Sequence, residues 1–505
     1  MLIDPSIFKA YDIRGVVGRQ LNAEVFRHIG LELGYLSLEA GVASFVVARD
    51  GRHSGPELAE ALAQGLEAAG VQVIDIGQVT TPMLYFATHE VGEGSGAAVT
   101  GSHNPPDYNG LKMVVAGATL HGEAIQAIYR SVCMRRDESP PRRAAPRRAV
   151  DIAEQYLQRI VGDVRLARPM KIAVDCGNGV AGAFAPALFR RLGCTVVELF
   201  CEVDGAFPHH HPDPADPHNL VDLMRCLRET DCELGLAFDG DGDRLGVVTK
   251  AGNIIWPDRQ LMLFARDVLA RNPGAEVIFD VKCSRHVGRV IEAAGGVASM
   301  SRTGHSLIKA RLKETGAPLA GEMSGHIFFK ERWYGFDDGL YAGARLLEIV
   351  SREPAWIASS GDAVVREAGG SQVLGRGADA ADPAWTHAAG AHADDRLQSG
   401  ASLVLENLPD SPSTPELKLS CAEGENFRIV EALASASVFA SASRLITIDG
   451  VRAEYPDGFG LARASNTTPV VVIRFEADDQ AALARIQGEF RAAFAAVDAR
   501  LQLPF

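Results

Sequence analysis

Leu234-Gly235-Leu236-Ala237-Phe238 runs directly into Asp239-Gly240-Asp241-Gly242-Asp243-Arg244. Five apolar residues stopped by turn formers are too short for a helix and suit a buried strand that ends in a loop. The same signature recurs in both directions. Upstream, residues 44–48 precede Arg49-Asp50-Gly51-Arg52, residues 96–99 precede Thr100-Gly101-Ser102, and residues 171–174 precede Asp175-Cys176-Gly177-Asn178-Gly179. Downstream, residues 276–279 precede Asp280. Between these runs lie stretches of 3.6-residue apolar spacing, such as 56–66, which predict helices. Strands alternating with helices predict α/β domains with largely parallel sheets. In such sheets ligands bind beyond the carboxyl ends of the strands, where these polar clusters fall.

The 505 residues predict three or four domains at roughly 150 residues each. The stretch 135–148, dense in Pro and charge, reads as a linker, and 204–219, with four prolines, as a loop. The stretch 359–413 is rich in Ala, Gly, Asp and Ser, and exceeds the ~12–15 residues usual for a structureless loop, so it reads as a mobile insertion. Beyond it, a strand at 469–475 and a helix at 479–497 form a small α+β domain. The expected division is an α/β domain at each of 1–148, 149–251 and 252–358, a flexible insertion at 359–413, and an α+β domain at 414–505.

An apolar fraction of 47% and a charged fraction of 23% exclude a disordered or collagen-like chain. The net charge of −14 disfavours nucleic acid as a partner. No apolar run approaches the ~20 residues of a bilayer span, and Met1-Leu2-Ile3-Asp4-Pro5 does not read as a signal peptide. Eight scattered cysteines, never in CxxC, read as reduced cytoplasmic thiols.

Within the opening stretch, three carboxylates at every second position, separated by glycines, form the strongest cation signal. Their hard oxygens suit Mg²⁺. An EF-hand fails, because its sixth position is Arg244 where Gly is needed and its twelfth is Lys250 where Glu is needed. In Thr100-Gly101-Ser102-His103-Asn104-Pro105-Pro106, Ser102 stands at a strand end between Gly and His with room for a reacting partner. The cationic candidates are Arg14, Arg49, Arg52, Lys112, Arg244, Arg259 and Lys282. Arg463-Ala464-Ser465-Asn466-Thr467-Thr468-Pro469 can encircle a phosphate. Gly321-Glu322-Met323-Ser324-Gly325-His326 can bind sugar hydroxyls and move a proton. His209, His210 and His211 are adjacent in an extended, proline-flanked segment and do not read as a zinc site.

Taken together, TGSHNPPDYNG (100–110), DGDGDR (239–244), GEMSGH (321–326) and RASNTTP (463–469), in that order, resemble the α-D-phosphohexomutase family, closest to its bacterial phosphomannomutase/phosphoglucomutase branch. The resemblance covers nearly the whole chain; the stretch 359–413 departs from it by its length. It implies three mixed α/β domains and a smaller α+β C-terminal domain around a central cleft, each contributing one motif. It also implies an isomerase of carbohydrate metabolism that moves a phosphoryl group between the 1- and 6-positions of mannose and glucose phosphates. Ser102 would carry the group as phosphoserine and, with Asp239, Asp241 and Asp243, hold Mg²⁺; glucose 1,6-bisphosphate would be activator and intermediate. Arg14, Lys112 and Arg244 would steady the phosphoryl charge, with His103 beside the serine, and His326 or Lys112 would handle the proton. Substrate contacts would come from Glu322, Met323, Ser324, Gly325 and His326, from Tyr11, Arg259, Lys282 and His305, and from Arg463, Ser465, Asn466 and Thr467 at a distal phosphate site. Hexose phosphates are the expected partners, with no nucleic acid, membrane insertion or obligate protein partner. Three alternatives remain open: a phosphoglucosamine mutase, a Mg-dependent sugar phosphatase and a non-catalytic sugar-phosphate sensor.

Overall fold

The strand Leu234–Phe238 is buried along its whole length. It lies at the centre of a five-stranded sheet ordered Ile254–Ile255, Leu245–Thr249, Leu234–Phe238, Lys171–Asp175, Thr195–Leu199. Its pairing with Lys171–Asp175 is parallel, and its pairing with Leu245–Thr249 is antiparallel. The structure of the protein, a computed structural model, describes residues 3–135, 145–358, 397–435, 439–466 and 468–505. The chain divides into two units, one of residues 1–283, 287–353 and 404–408, the other of 284–286, 354–403 and 409–505.

The larger unit contains two more mixed sheets. The first runs Ile13–Val16, Tyr108–Val115, Gly96–Val99, Ser44–Arg49, Gln72–Gln78, Arg147–Ala149. The other runs Val297–Ser301, Glu276–Asp280, Leu319–Gly321, Ile327–Phe329. Their central strands pair in parallel and are apolar on both faces, as strands covered on both sides must be. Helices Ala23–Glu39 and Gly55–Ala69 follow the expected amphipathic spacing. Asn22 caps the first by accepting from Val25 N at 3.0 Å, an interaction worth about 1 kcal/mol.

One arrangement differs from a plain strand–helix alternation and recurs in all three sheets. Each of the strands Gly96–Val99, Leu234–Phe238 and Leu319–Gly321 is followed by a short polar loop and then by an antiparallel return strand: Tyr108–Val115, Leu245–Thr249 and Ile327–Phe329 respectively. The three chemistry-bearing motifs of this unit are therefore hairpin tips, hydrogen-bonded to the sheet on both flanks.

In the smaller unit a wholly antiparallel sheet runs Leu417–Ser420, Val470–Ala477, Gly458–Ala464, Val451–Tyr455, Arg444–Ile446. Helices Glu425–Ser435 and Gln480–Val497 pack on it, and Phe475 meets Phe490 edge-on at 5.2 Å in the core. The RASNTTP segment lies where Gly458–Ala464 gives way to its antiparallel partner Val470–Ala477, at a fourth hairpin end.

Two stretches read as irregular carry regular structure. Residues 359–396 lie outside the described residues, but 397–413 open with the strand Leu397–Ser399, paired to Trp356–Ala358, and the helix Gly400–Glu406. Ala401, Leu405 and Leu408 are buried there; three apolar side chains outweigh a composition that averages as polar. At the end of the linker reading, Arg147–Ala149 pairs in parallel with Gln72–Gln78, and Glu60 and Glu67 hold the Arg147 side chain.

Candidate active site

Beyond Val99 the chain turns at Thr100 and places Ser102 in a left-handed conformation, φ +48°. That backbone costs a non-glycine residue on the order of 1 kcal/mol. Ser102 is 1% exposed, and its Oγ donates to Asp239 Oδ2 at 3.1 Å, across 137 residues of sequence. The glycine after Asp239 makes this approach possible, since a Cβ at Gly240 would stand 2.3 Å from the Ser102 carbonyl oxygen. His103 Nδ1 lies 3.3 Å from the same Oγ. Burial, then the nearby Arg244 and Arg14, hold the His103 imidazole well below its usual value, so it is neutral.

Asp239, Asp241 and Asp243 are fully buried, and their carboxylate oxygens gather within 4.8 Å of one another. Lys112 enters the cluster from the middle of the return strand Tyr108–Val115. Its Nζ donates to Asp241 Oδ2 at 2.7 Å and to Asp243 Oδ2. Burial opposes the ammonium, but Asp241 and Asp243 outweigh it and keep Lys112 well above the ordinary lysine value. Thr81 Oγ1 also donates to Asp241 Oδ2, at 2.6 Å. Burial, with Asp243 and Asp241 adding to it, pushes the Asp239 carboxyl well above the carboxylate range. Two oxygens in this cluster, Asp241 Oδ1 and Asp243 Oδ1, are buried without a hydrogen bond. Orphaned hard oxygens converging around one point fit a divalent cation, which would satisfy both and relieve the repulsion.

Arg244 follows the acidic loop and pairs across an isolated bridge with His326. Its Nε lies 3.9 Å from Asp239 Oδ2 and 3.2 Å from His326 Nε2. His326 Nδ1 lies 3.2 Å from Glu322 Oε2 and 2.9 Å from Ser324 Oγ. Two influences compete on this ring. Burial and Arg244 oppose the imidazolium, yet Asp243 and Glu322 pull it up to about 9. The Arg244 contact favours a proton on Nδ1 alone, whereas Asp243, 3.5 Å from Nε2, favours a second one. The upward pull wins, so the imidazolium form of His326 is favoured at neutral pH.

The remaining expected contacts fall in several places. Glu322 Oε1 accepts from Gly304 N at 2.6 Å, which ties the loop 321–326 to the start of the helix His305–Thr315. Tyr11 OH donates to the Thr303 carbonyl at 2.9 Å. His305 stacks near His326 at 5.5 Å, and burial, then Lys309, keeps it neutral. Met323 N donates to Asp280 Oδ1 at 3.1 Å, and Lys282 Nζ stands 4.0 Å from Asp280 Oδ2. Gly325, at φ +105°, passes over the Arg244 side chain. Arg14 Nη1 donates to the Gly101 carbonyl at 3.0 Å and to Asn104 Oδ1, while Nη2 pairs with Asp12. Arg259 stands apart: its Nη2 donates to the carbonyls of Leu405, Glu406 and Leu408 at 3.3, 3.1 and 2.9 Å, closing the end of the helix Gly400–Glu406. In the smaller unit, Arg463 Nε donates to Asp449 Oδ2 at 3.0 Å, and Asn426 Nδ2 donates to the Ser465 carbonyl at 2.9 Å, next to Asn466. Thr467 lies outside the described residues. His210 pairs with Asp175 and His209 stacks on Phe200, so these imidazoles serve separate partners.

The sequence reading passed over Asp337 and Lys309. Asp337 is fully buried, accepts from Lys309 Nζ at 2.9 Å, and places Oδ2 3.8 Å from His305 Nδ1 and 3.9 Å from His326 Nε2. Asp337-Asp338 before an apolar helix reads only as a cap, and Asp338 does cap Gly339–Val350. Nothing in the sequence separates its neighbour from that role.

Four family models match the chain in succession: phosphoglucomutase/phosphomannomutase alpha/beta/alpha domain I over 5–137, domain II over 154–252, domain III over 256–364, and the C-terminal domain over 416–493. The chain is 53% identical over 495 residues to a Neisseria gonorrhoeae protein named phosphoglucomutase, with 97% of each covered. It is 49% identical over 500 residues to the phosphomannomutase/phosphoglucomutase of Pseudomonas aeruginosa, covering 99% of this chain and 98% of that one. A crystal structure of a phosphoglucomutase/phosphomannomutase family protein from Burkholderia thailandensis matches with a TM-score of 0.86 at 52% identity, over 100% of both chains. No helix among the described residues is long and apolar enough to cross a membrane.

Proposed function

Because the chain belongs to the phosphoglucomutase/phosphomannomutase family, domain by domain, we propose that it moves a phosphoryl group reversibly between the 1- and 6-positions of mannose and glucose phosphates. The group passes through a phosphoserine at Ser102 and a bound hexose 1,6-bisphosphate, with glucose 1,6-bisphosphate able to prime the serine. One observation carries this reading: a serine hydroxyl held in a left-handed turn, 3.1 Å from the first of three buried aspartates.

Asp239, Asp241 and Asp243 would hold Mg²⁺ together with an oxygen on Ser102. When bound, the ion withdraws charge from the transferring phosphoryl group. The chain's own residues do the rest. Lys112 and Arg244 bring fixed positive charge to the edge of the acidic cluster, where charge spreads over the phosphoryl oxygens. Arg14 steadies the serine loop from behind through the Gly101 carbonyl. Glu322 and Ser324 offer a carboxylate and a hydroxyl to sugar hydroxyls. His326, its imidazolium favoured by Asp243 and Glu322, gives or takes the proton at the reacting hydroxyl, with Lys112 as the other candidate. Cytoplasmic placement rests on the eight cysteines, all free thiols.

Arg463, Ser465, Asn466 and Thr467 are assigned to the phosphate that does not react. Arg463→Ala should then raise KM roughly tenfold, as loss of one charge-assisted contact worth ~1.5–3 kcal/mol requires, at modest cost in kcat. Steady-state kinetics with both hexose 1-phosphates checks this, and an unchanged KM for both would move the distal site elsewhere. A coupled assay on glucose 1-phosphate, mannose 1-phosphate and glucosamine 1-phosphate tests the substrate class. Turnover of the glucosamine compound alone would favour the phosphoglucosamine reading, and release of inorganic phosphate would favour a phosphatase.

A further inference from the structure

Arg52 lies behind the Ser102 loop with a side chain that is 0% exposed. A guanidinium has five N–H donors, and here all five are used. Nε donates to Asp50 Oδ2 at 3.2 Å. Nη1 donates to the carbonyls of Pro105 and, at 3.0 Å, Tyr108. Nη2 donates to the carbonyls of Ser102 at 2.9 Å and Asn104 at 2.6 Å. The loop is wrapped around the cation with its carbonyls turned inward. Asp50 completes the arrangement from the other side, accepting from Arg52 N at 3.0 Å, Thr100 Oγ1 at 2.8 Å and Gly101 N at 3.1 Å. Gly101 lies flat against the guanidinium, where a Cβ would come within 2.4 Å of Arg52 Cζ and Nε.

We propose that Arg52 is a positioning residue for phosphoryl transfer: its guanidinium clamps both ends of the Ser102 loop and fixes the left-handed turn that aims Oγ at the acidic cluster. The argument is geometric. The Ser102 peptide is held on both sides, its N–H by Thr100 Oγ1 at 2.8 Å and its carbonyl by Arg52. With every donor engaged by protein, Arg52 has none left for a phosphate, so it acts only through Ser102. A lysine cannot replace it, because three donors on one atom cannot span carbonyls from residues 102 to 108.

The proposal rests on the mutase reading above, so its test includes a measurement independent of turnover. In the full-length, Mg²⁺-supplied protein, Arg52→Lys should lower kcat about a hundredfold, the cost of misplacing a reacting group by roughly 1 Å. KM should stay within about twofold, since substrate contacts are untouched. Single-turnover transfer from phosphorylated Ser102 to hexose 1-phosphate should slow by the same factor as kcat. Hydrogen exchange should quicken in the peptide covering 101–108 and nowhere else. Gly101→Ala, which pushes on the clamp from its other face, should give the same pattern and decides the matter if Arg52→Lys does not fold. Unchanged transfer with unchanged exchange at 101–108 would overturn the proposal. So would faster exchange throughout the chain, which would mark a general packing role. If the native protein turns over no hexose phosphate, the mutase reading fails, while the exchange comparison still decides whether Arg52 holds the loop.

Discussion

Ser102→Ala is expected to lower kcat at least about a thousandfold, roughly 4 kcal/mol of lost transition-state stabilisation. On the proposed mechanism, the substitution removes at once the covalent relay and one oxygen that would hold the cation. The native protein should carry a single phosphoryl group at Ser102, a gain of about 80 Da in intact mass, and the variant should carry none. Excess hexose 1-phosphate should discharge the group and glucose 1,6-bisphosphate should restore it, without ATP, because the phosphoryl circulates between serine and sugar. The fold should survive, since the lost hydroxyl makes only two hydrogen-bonding contacts, to Asp239 and to His103, and fills no core position. Substrate binding should survive as well, because Glu322 and Ser324 are untouched. Turnover near native in Ser102→Ala, or phosphate mapped only to another residue, would remove the mutase mechanism.

Asp241→Asn comes next in expected size. The Asp241 carboxylate serves the cluster twice: Oδ2 accepts from Lys112 and Thr81, and Oδ1 points inward without a hydrogen bond. The amide removes a negative charge from the acidic cluster and from beside a buried lysine. The Mg²⁺ concentration for half activity should rise by more than the roughly 10–100-fold seen when only an outer partner of a metal ligand is lost. The kcat at saturating Mg²⁺ should fall as well. Chelation should silence the native protein reversibly, and circular dichroism should show both proteins folded. An unchanged Mg²⁺ requirement in Asp241→Asn would place the cation elsewhere.

The ends of the parallel strands were legible in sequence because each apolar run stops at a turn former, and those stops put Ser102 and Asp239 in loops just beyond strands, where the structure has them. The return strands were not. Tyr108–Val115 opens with Tyr-Asn-Gly and carries a lysine at its centre, a pattern that does not read as a buried strand. Lys112 is buried only because Asp241 and Asp243, about 130 residues further on, neutralise it. Arg52 was only one of seven cationic candidates in sequence, because its carbonyl partners carry no side-chain signature. Arg259 shows the converse, since a cation grouped with substrate contacts spends one end of its guanidinium on three backbone carbonyls. The stretch 397–413 was misread because a polar average hid three buried apolar residues.

The hairpin tips also set an order of assembly. Ser102 meets Asp239 across 137 residues and Lys112 meets Asp243 across 131. A ribosome adding roughly 5–20 residues per second puts about 7–27 s between the emergence of one partner and the other. Through that interval the serine loop has its local support from Asp50 and Arg52 but no acidic cluster to face, and Lys112 has no counter-charge and must stay in water. The growing chain therefore passes through a period in which its first domain can fold while its catalytic centre does not yet exist. A truncation ending before residue 239 should lack the acidic cluster altogether and be inert rather than a weakened enzyme.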